Sequence, residues 1–209
     1  MPLLTDRRII QAVIVIFTMM VFGYFAGSRL LAFSALTAAG IIMVMAAAEQ
    51  GDALRLLGLS LRGRHPFMWI LAGLATSVFL SLICRRFFSG SLLPSFLYPA
   101  AITATLTGMT EELLYRGFIQ GILSHRHPVT GILAASAGHT AYKAILLANS
   151  PVAGMINLTN LIVLTFITGC LFGYFRHKSK QIYSPLIAHG LFDLIVYGDQ
   201  SVLPPWVWY

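Results

Sequence analysis

Acidic side chains are scarce in this chain. Seven occur in 209 residues (Asp6, Glu49, Asp52, Glu111, Glu112, Asp193 and Asp199), and charged residues of either sign make up only 10%, against about 25% in ordinary soluble domains. That paucity excludes a disordered charged tail and an ion-pair-rich soluble surface. Cysteine is nearly absent too: Cys84 and Cys170 both lie in apolar runs, without the spacing of a zinc or redox pair, and read as small buried hydrophobes. There is no glycine-rich phosphate loop and no basic stripe interleaved with exposed aromatics, so nucleotide and nucleic-acid binding have nothing behind them. What the chain has in excess is hydrocarbon. Hydrophobic residues account for 57% and the mean hydropathy is +0.80, more apolar surface than a soluble fold of this size can hide. The expected fold is an all-α polytopic transmembrane bundle in the cell membrane, forming one domain over residues 1–209.

Seven apolar runs are long enough, or nearly so, to span a bilayer core that takes about 20 residues of helix. They cover 9–27, 30–48, 67–84, 93–123, 128–148, 155–175 and 182–198. The first follows Arg7 and Arg8 and is longer than the apolar core of a signal peptide, so it reads as a retained helix. The fourth is long enough to be one tilted helix or a helix broken at Pro99. Between the second and third runs, Glu49 to His65 spaces leucines among arginines and suggests a short amphipathic helix on the membrane surface. A net charge of +7 follows the rule that cytoplasmic loops collect Lys and Arg. Arg7, Arg8, Arg55, Arg62, Arg64, Arg126, Arg176, Lys178 and Lys180 fall on one side, and only Arg29, Arg85 and Arg86 on the other. This predicts an inner N-terminus and an outer C-terminus, with Trp206, Trp208 and Tyr209 at the outer interface.

Ionisable groups inside such runs need a partner or a function. Glu111, Glu112, Arg116, His139, Lys143, His189 and Asp193 all lie there. Glu112 and Arg116 are an i,i+4 pair and should satisfy each other. Glu111 points about 100° away and is expected to face a cavity. His189 and Asp193 form a second i,i+4 pair, at a depth similar to that of His139 on another helix. Lys143 is one turn from His139, where a long amine is expected to snorkel outward.

Glu111-Glu112-Leu113-Leu114-Tyr115-Arg116 resembles the EExxxR motif of the CPBP family, the CAAX-protease and bacteriocin-processing group of intramembrane proteases. His189-Gly190-Leu191-Phe192-Asp193 resembles its HxxxN/D motif, and His139 stands where its FxxxH histidine would be, with Ala135 in the phenylalanine position. The motifs occur in the family's order, across a catalytic core at 108–195. The resemblance implies a glutamate-type endopeptidase. In it Glu111 is the base that activates water, His139 assists, and His189 with Asp193 lies near the oxyanion, while Arg116 organises Glu112.

The residues themselves leave alternatives open. Either glutamate could take the proton, and Asp193 could act protonated or by orienting His189. A zinc site drawn from Glu112, His139, His189 and Asp193 is conceivable but not favoured, since HExxH is absent and Glu112 is already paired. No cofactor is expected. The same groups could form the relay of a proton-coupled transporter, though no inverted repeat supports it, or sit unused in a membrane scaffold or immunity protein. The partners implied are the lipid bilayer and a membrane-protein or lipidated peptide substrate.

Overall fold

Proline and glycine punctuation sets the helix boundaries. In the computed structural model, which describes residues 2–49, 51–60, 65–88, 90–125, 127–150, 157–204 and 207, Pro66, Pro99 and Pro128 each stand first in a helix, where the missing N–H costs nothing. The helices are α1 (Pro2–Tyr24), α2 (Arg29–Glu49), α3 (Ala53–Leu57), α4 (Pro66–Phe88), α5 (Pro99–Glu112), α6 (Gln120–Leu123), α7 (Pro128–Ala148), α8 (Leu158–Ser179) and α9 (Tyr183–Val196). A π-helical segment, Leu113–Ile119, joins α5 to α6 without interruption. There is no strand among the described residues, and each of the seven apolar runs contains one long helical stretch. The fold is an all-helical membrane bundle.

Among the described residues, four stretches, Arg7–Tyr24, Arg29–Glu49, Pro66–Phe87 and Leu158–Ser179, are long and apolar enough to cross a membrane. The 14-residue α9 is about 21 Å long at 1.5 Å per residue, short of a full hydrocarbon core. The stretch 99–123 and α7 carry the ionisable residues and are correspondingly less apolar.

Packing relies on small residues, as expected where lipid removes the hydrophobic drive between helices. Ala12 on α1 and Ala35, Ala39 and Ala46 on α2 are buried together. α9 lies against α4 through Gly73, where an added Cβ would stand 2.7 Å from the Ser184 hydroxyl, and that hydroxyl donates to the Trp69 carbonyl at 2.6 Å. The π segment is buried on every side, from Leu114 through Ile119, which marks it as the bundle's central element.

Two expectations are corrected here. The fourth run is not a helix from residue 93: the chain is irregular until Pro99, and no break follows, because proline at the first helical position starts a helix rather than interrupting one. The amphipathic helix expected over 49–65 is reduced to the five residues of α3, capped by the Asp52 side chain and ended by Gly58 at φ 75°. The chain after it docks onto the turn between α8 and α9 instead of lying on lipid. Ile182 N–H donates to the Gly58 carbonyl at 2.9 Å, and the Tyr183 hydroxyl donates to the Leu59 carbonyl at 2.7 Å. Those bonds satisfy backbone groups that a longer helix would otherwise hold. Arg62, Arg64, Arg126, Trp206, Trp208 and Tyr209, used above for orientation and interface, lie outside the described residues.

Candidate active site

Glu111 and Glu112 are the last two residues of α5, and Arg116 sits in the π segment that follows. A π turn holds one residue more than an α turn and is often found at functional sites. The Glu112–Arg116 contact expected from sequence survives it: Arg116 Nη1 donates to Glu112 Oε1 at 2.9 Å, with both side chains essentially inaccessible. Arg116 can approach because α8 offers Gly169, where a Cβ would stand 2.7 Å from Arg116 Nη2.

α7 brings His139 to the same arginine. His139 Nδ1 lies 3.0 Å from Arg116 Nη1. Guanidinium only donates, so Nδ1 must accept, and the ring proton is fixed on Nε2. That Nε2–H then donates to Glu111 Oε2 at 3.1 Å. The ring is further held by Tyr115, 4.7 Å away between centroids, and by a near-parallel Tyr142 at 6.1 Å.

Glu111 is not free, contrary to expectation. It is 1% exposed. Its Oε1 accepts from the Tyr142 hydroxyl at 2.9 Å and lies 2.6 Å from Lys143 Nζ. Lys143 therefore turns inward rather than snorkelling out, because a buried carboxylate one helix away offers its charge more than distant headgroup water does. Three of the roughly four acceptor positions of the Glu111 carboxylate are thus filled, and one on Oε2 remains beside His139.

α9 supplies the other wall. His189 Nδ1 is 2.9 Å from Glu112 Oε1, so the ring donates there to a carboxylate already bound by Arg116. Its Nε2 is 3.7 Å from Asp193 Oδ2, beyond hydrogen-bond range. The residue that orients His189 is accordingly Glu112, not Asp193. The His139 and His189 rings are 6.1 Å apart. α9 comes this close to α5 because residue 108 is glycine: a Cβ there would collide with Asp193 Oδ2 and stand 2.8 Å from His189 Cδ2. Thr105 and Gly190 seal the same contact, the Thr105 hydroxyl lying 3.2 Å from the Gly190 carbonyl.

The five candidate residues Glu111, Glu112, His139, His189 and Asp193 are therefore gathered with Arg116 in one buried cluster. One oxygen, Glu112 Oε2, is buried with no hydrogen-bond partner among the described residues. Sequence reasoning missed Tyr142, Tyr115 and the π segment. Tyr142 is three residues after His139 and Tyr115 four after Glu111, so helical spacing from the known motif residues would have found both. Nothing in the sequence marks the π turn. A zinc centre would need three ligands around an open position, and no such group of His, Cys, Asp or Glu occurs among the described residues.

Residues 93–195 match the model of a family described as type II CAAX prenyl endopeptidase, Rce1-like. No curated protein and no solved structure matches the chain. The matched segment, just under half of the chain, runs from the approach to α5 into α9 and holds the entire cluster: residues 93–195 form a domain similar to the Rce1-like type II CAAX prenyl endopeptidases.

Proposed function

We propose that the chain is an intramembrane endopeptidase that hydrolyses a peptide bond by glutamate-activated water, acting in the cell membrane on a lipidated or membrane-anchored substrate. The observation that carries this reading is the pair of glutamates, each bonded to a histidine from a different helix, with acceptor positions left open on Glu111 Oε2 and Glu112 Oε2. A substrate water enters beside Glu111 Oε2, in place of the direct link to His139, and gives its proton to the carboxylate as its oxygen bonds to the scissile carbonyl carbon. His139 Nε2–H, released from Glu111, holds that water. In the imidazolium form His189 keeps one N–H on Glu112 and presents the other, at Nε2, to the oxyanion. Asp193, 3.7 Å from that nitrogen, balances its charge. Glu111 then passes its proton to the departing amine nitrogen as the C–N bond breaks, and the carboxylate is restored.

Arg116 and Lys143 serve as positioning residues. Arg116 fixes the His139 tautomer, so that Nε2 rather than Nδ1 faces the water. Catalysis here uses no metal ion, and chelation should leave it unchanged. The cluster lies among helices rather than on an extramembrane domain, which suits recognition through a prenyl chain or a transmembrane tail in the bilayer.

The test uses purified full-length protein in liposomes with a farnesylated peptide ending in a CAAX sequence. Glu111→Gln and His189→Ala should abolish cleavage, while Asp199→Asn, outside the cluster, should cleave as wild type does. Full cleavage by the Glu111→Gln and His189→Ala proteins would overturn the proposal.

A further inference from the structure

A cavity of about 470 Å³ lies where the starts of α1 and α3 meet α6 and the end of α8. It falls within the size range of small-molecule sites, and its wall is strongly basic. Arg8, Arg55, Arg176 and Lys180 line it, against a single acid, Asp52. Asp52 is committed to the cap of α3, accepting from Arg55 N–H at 3.0 Å. The other acid near this end, Glu49, is held by Arg7 at 2.7 Å and Gln11 at 2.9 Å. Arg8, Arg55 and Arg176 thus share the cavity wall with one acid, and that acid's side chain is engaged in a helix cap.

Arg176 is the informative one. It is 8% exposed, spends Nη2 on the Leu56 carbonyl at 3.0 Å, and leaves Nε without a partner. Gly58, at φ +75°, accommodates it, since a Cβ there would stand 2.5 Å from that Nε. A guanidinium buried this far and only partly bonded is a fork for an oxyanion. His125, also on the wall, is held below its ordinary pKa by burial first and by the charge of Arg8 second. All four cations belong to the set that the charge asymmetry of the loops places at the cytoplasmic face.

We propose that this cavity binds a phosphate group, supplied by the headgroup of an anionic phospholipid of the inner leaflet or by free phosphate. The bound phosphate bridges Arg176 on α8, Arg55 on α3 and Arg8 on α1, and so adds a tie among three elements. Basic pockets at membrane-helix ends recognise anionic headgroups in this way.

The purified full-length protein in neutral detergent is heated with short-chain phosphatidylglycerol, with short-chain phosphatidylcholine, or with inorganic phosphate at matched ionic strength. Phosphatidylglycerol well above its Kd should raise Tm by on the order of 3–6 °C, and phosphatidylcholine should not. Phosphate reproducing the rise without lipid assigns the site to the free anion, and phosphate failing where phosphatidylglycerol succeeds assigns it to the headgroup. The double variant Arg55→Gln/Lys180→Asn should lose the response to either; it spares Arg176, whose bond to Leu56 folding uses, and asparagine suits the left-handed backbone at 180, φ 61°. Absence of a shift with both phosphatidylglycerol and phosphate, equal shifts from the two lipids, or a full response in the double variant would overturn the proposal. The readout involves no cleavage, so its failure and that of the peptidase reading are separable.

Discussion

Arg116 and Arg85 are the two least exposed arginines among the described residues, and they are satisfied in different ways. Arg116 is 1% exposed, and its partners Glu112 and His139 are ionisable side chains that themselves bond to further ionisable groups. Arg85 is 2% exposed, yet three of its bonds go to backbone carbonyls of Leu93, Ile195 and Val196, and its carboxylate partner Asp199 keeps 35% of its side-chain surface accessible. Carbonyls cannot exchange protons. A guanidinium held by them fastens the 91–98 segment to the end of α9, whereas one held by titratable groups fixes protonation states and tautomers. The same residue type, at nearly the same burial, makes a latch in one place and prepares chemistry in the other.

Breaking each centre should expose that difference, and the largest effect is expected on turnover. Glu111→Gln should lower cleavage of the farnesylated peptide by about 10²–10⁴-fold, the usual worth of a positioned base, while the unfolding temperature moves far less than the rate. Arg116→Met should destabilise by about 3–5 kcal/mol, because it leaves Glu112 buried with its charge uncompensated. Thermal unfolding in detergent would show this, together with recovery in the double variant Glu112→Leu/Arg116→Met, which should regain stability without activity. Tyr142→Phe removes one hydrogen bond to Glu111 and should cost about 1 kcal/mol, read as a roughly fivefold fall in kcat. The smallest effect belongs to the latch. The hydrogen bond from Arg85 holds the Asp199 carboxyl below the usual carboxylate range, so its contribution to stability is complete above that range and is lost as pH falls through the lowered value. The Tm difference between wild type and Asp199→Asn should therefore shrink on acidification from about pH 7 to about pH 3; a difference independent of pH would show that the latch works through its carbonyls alone.

The bundle was legible because a bilayer forces hydrocarbon into runs of helix length, and seven such runs each yielded a helical stretch. The cluster was legible because acids are so few that Glu111, Glu112 and Asp193 stand out. Pairings that depend on two helices meeting were not. Glu111 looked free since its partners, Tyr142 and Lys143, come from α7, more than thirty positions away, and no local period reports that approach. Lys143 was read by its distance from helix ends, a rule about single helices that a neighbouring carboxylate overrides. Asp193 looked like the partner of His189 by i,i+4 spacing. The close approach permitted by Gly108 gives the imidazole a nearer carboxylate in Glu112.

The π turn at Leu113–Ile119 also works as a phase shift within one continuous rod. Upstream of it the helix presents Glu111 and Glu112; downstream the extra residue has rotated Gln120 by about 100° from where regular winding would carry it, onto the Gly173 carbonyl 2.8 Å away on α8. Deleting a single residue anywhere between 113 and 119 would restore regular winding and keep the helix intact. It would also leave the two halves of the rod facing the wrong neighbours, so at Leu113, the one residue of the turn that is not buried, substitution should be tolerated far better than deletion.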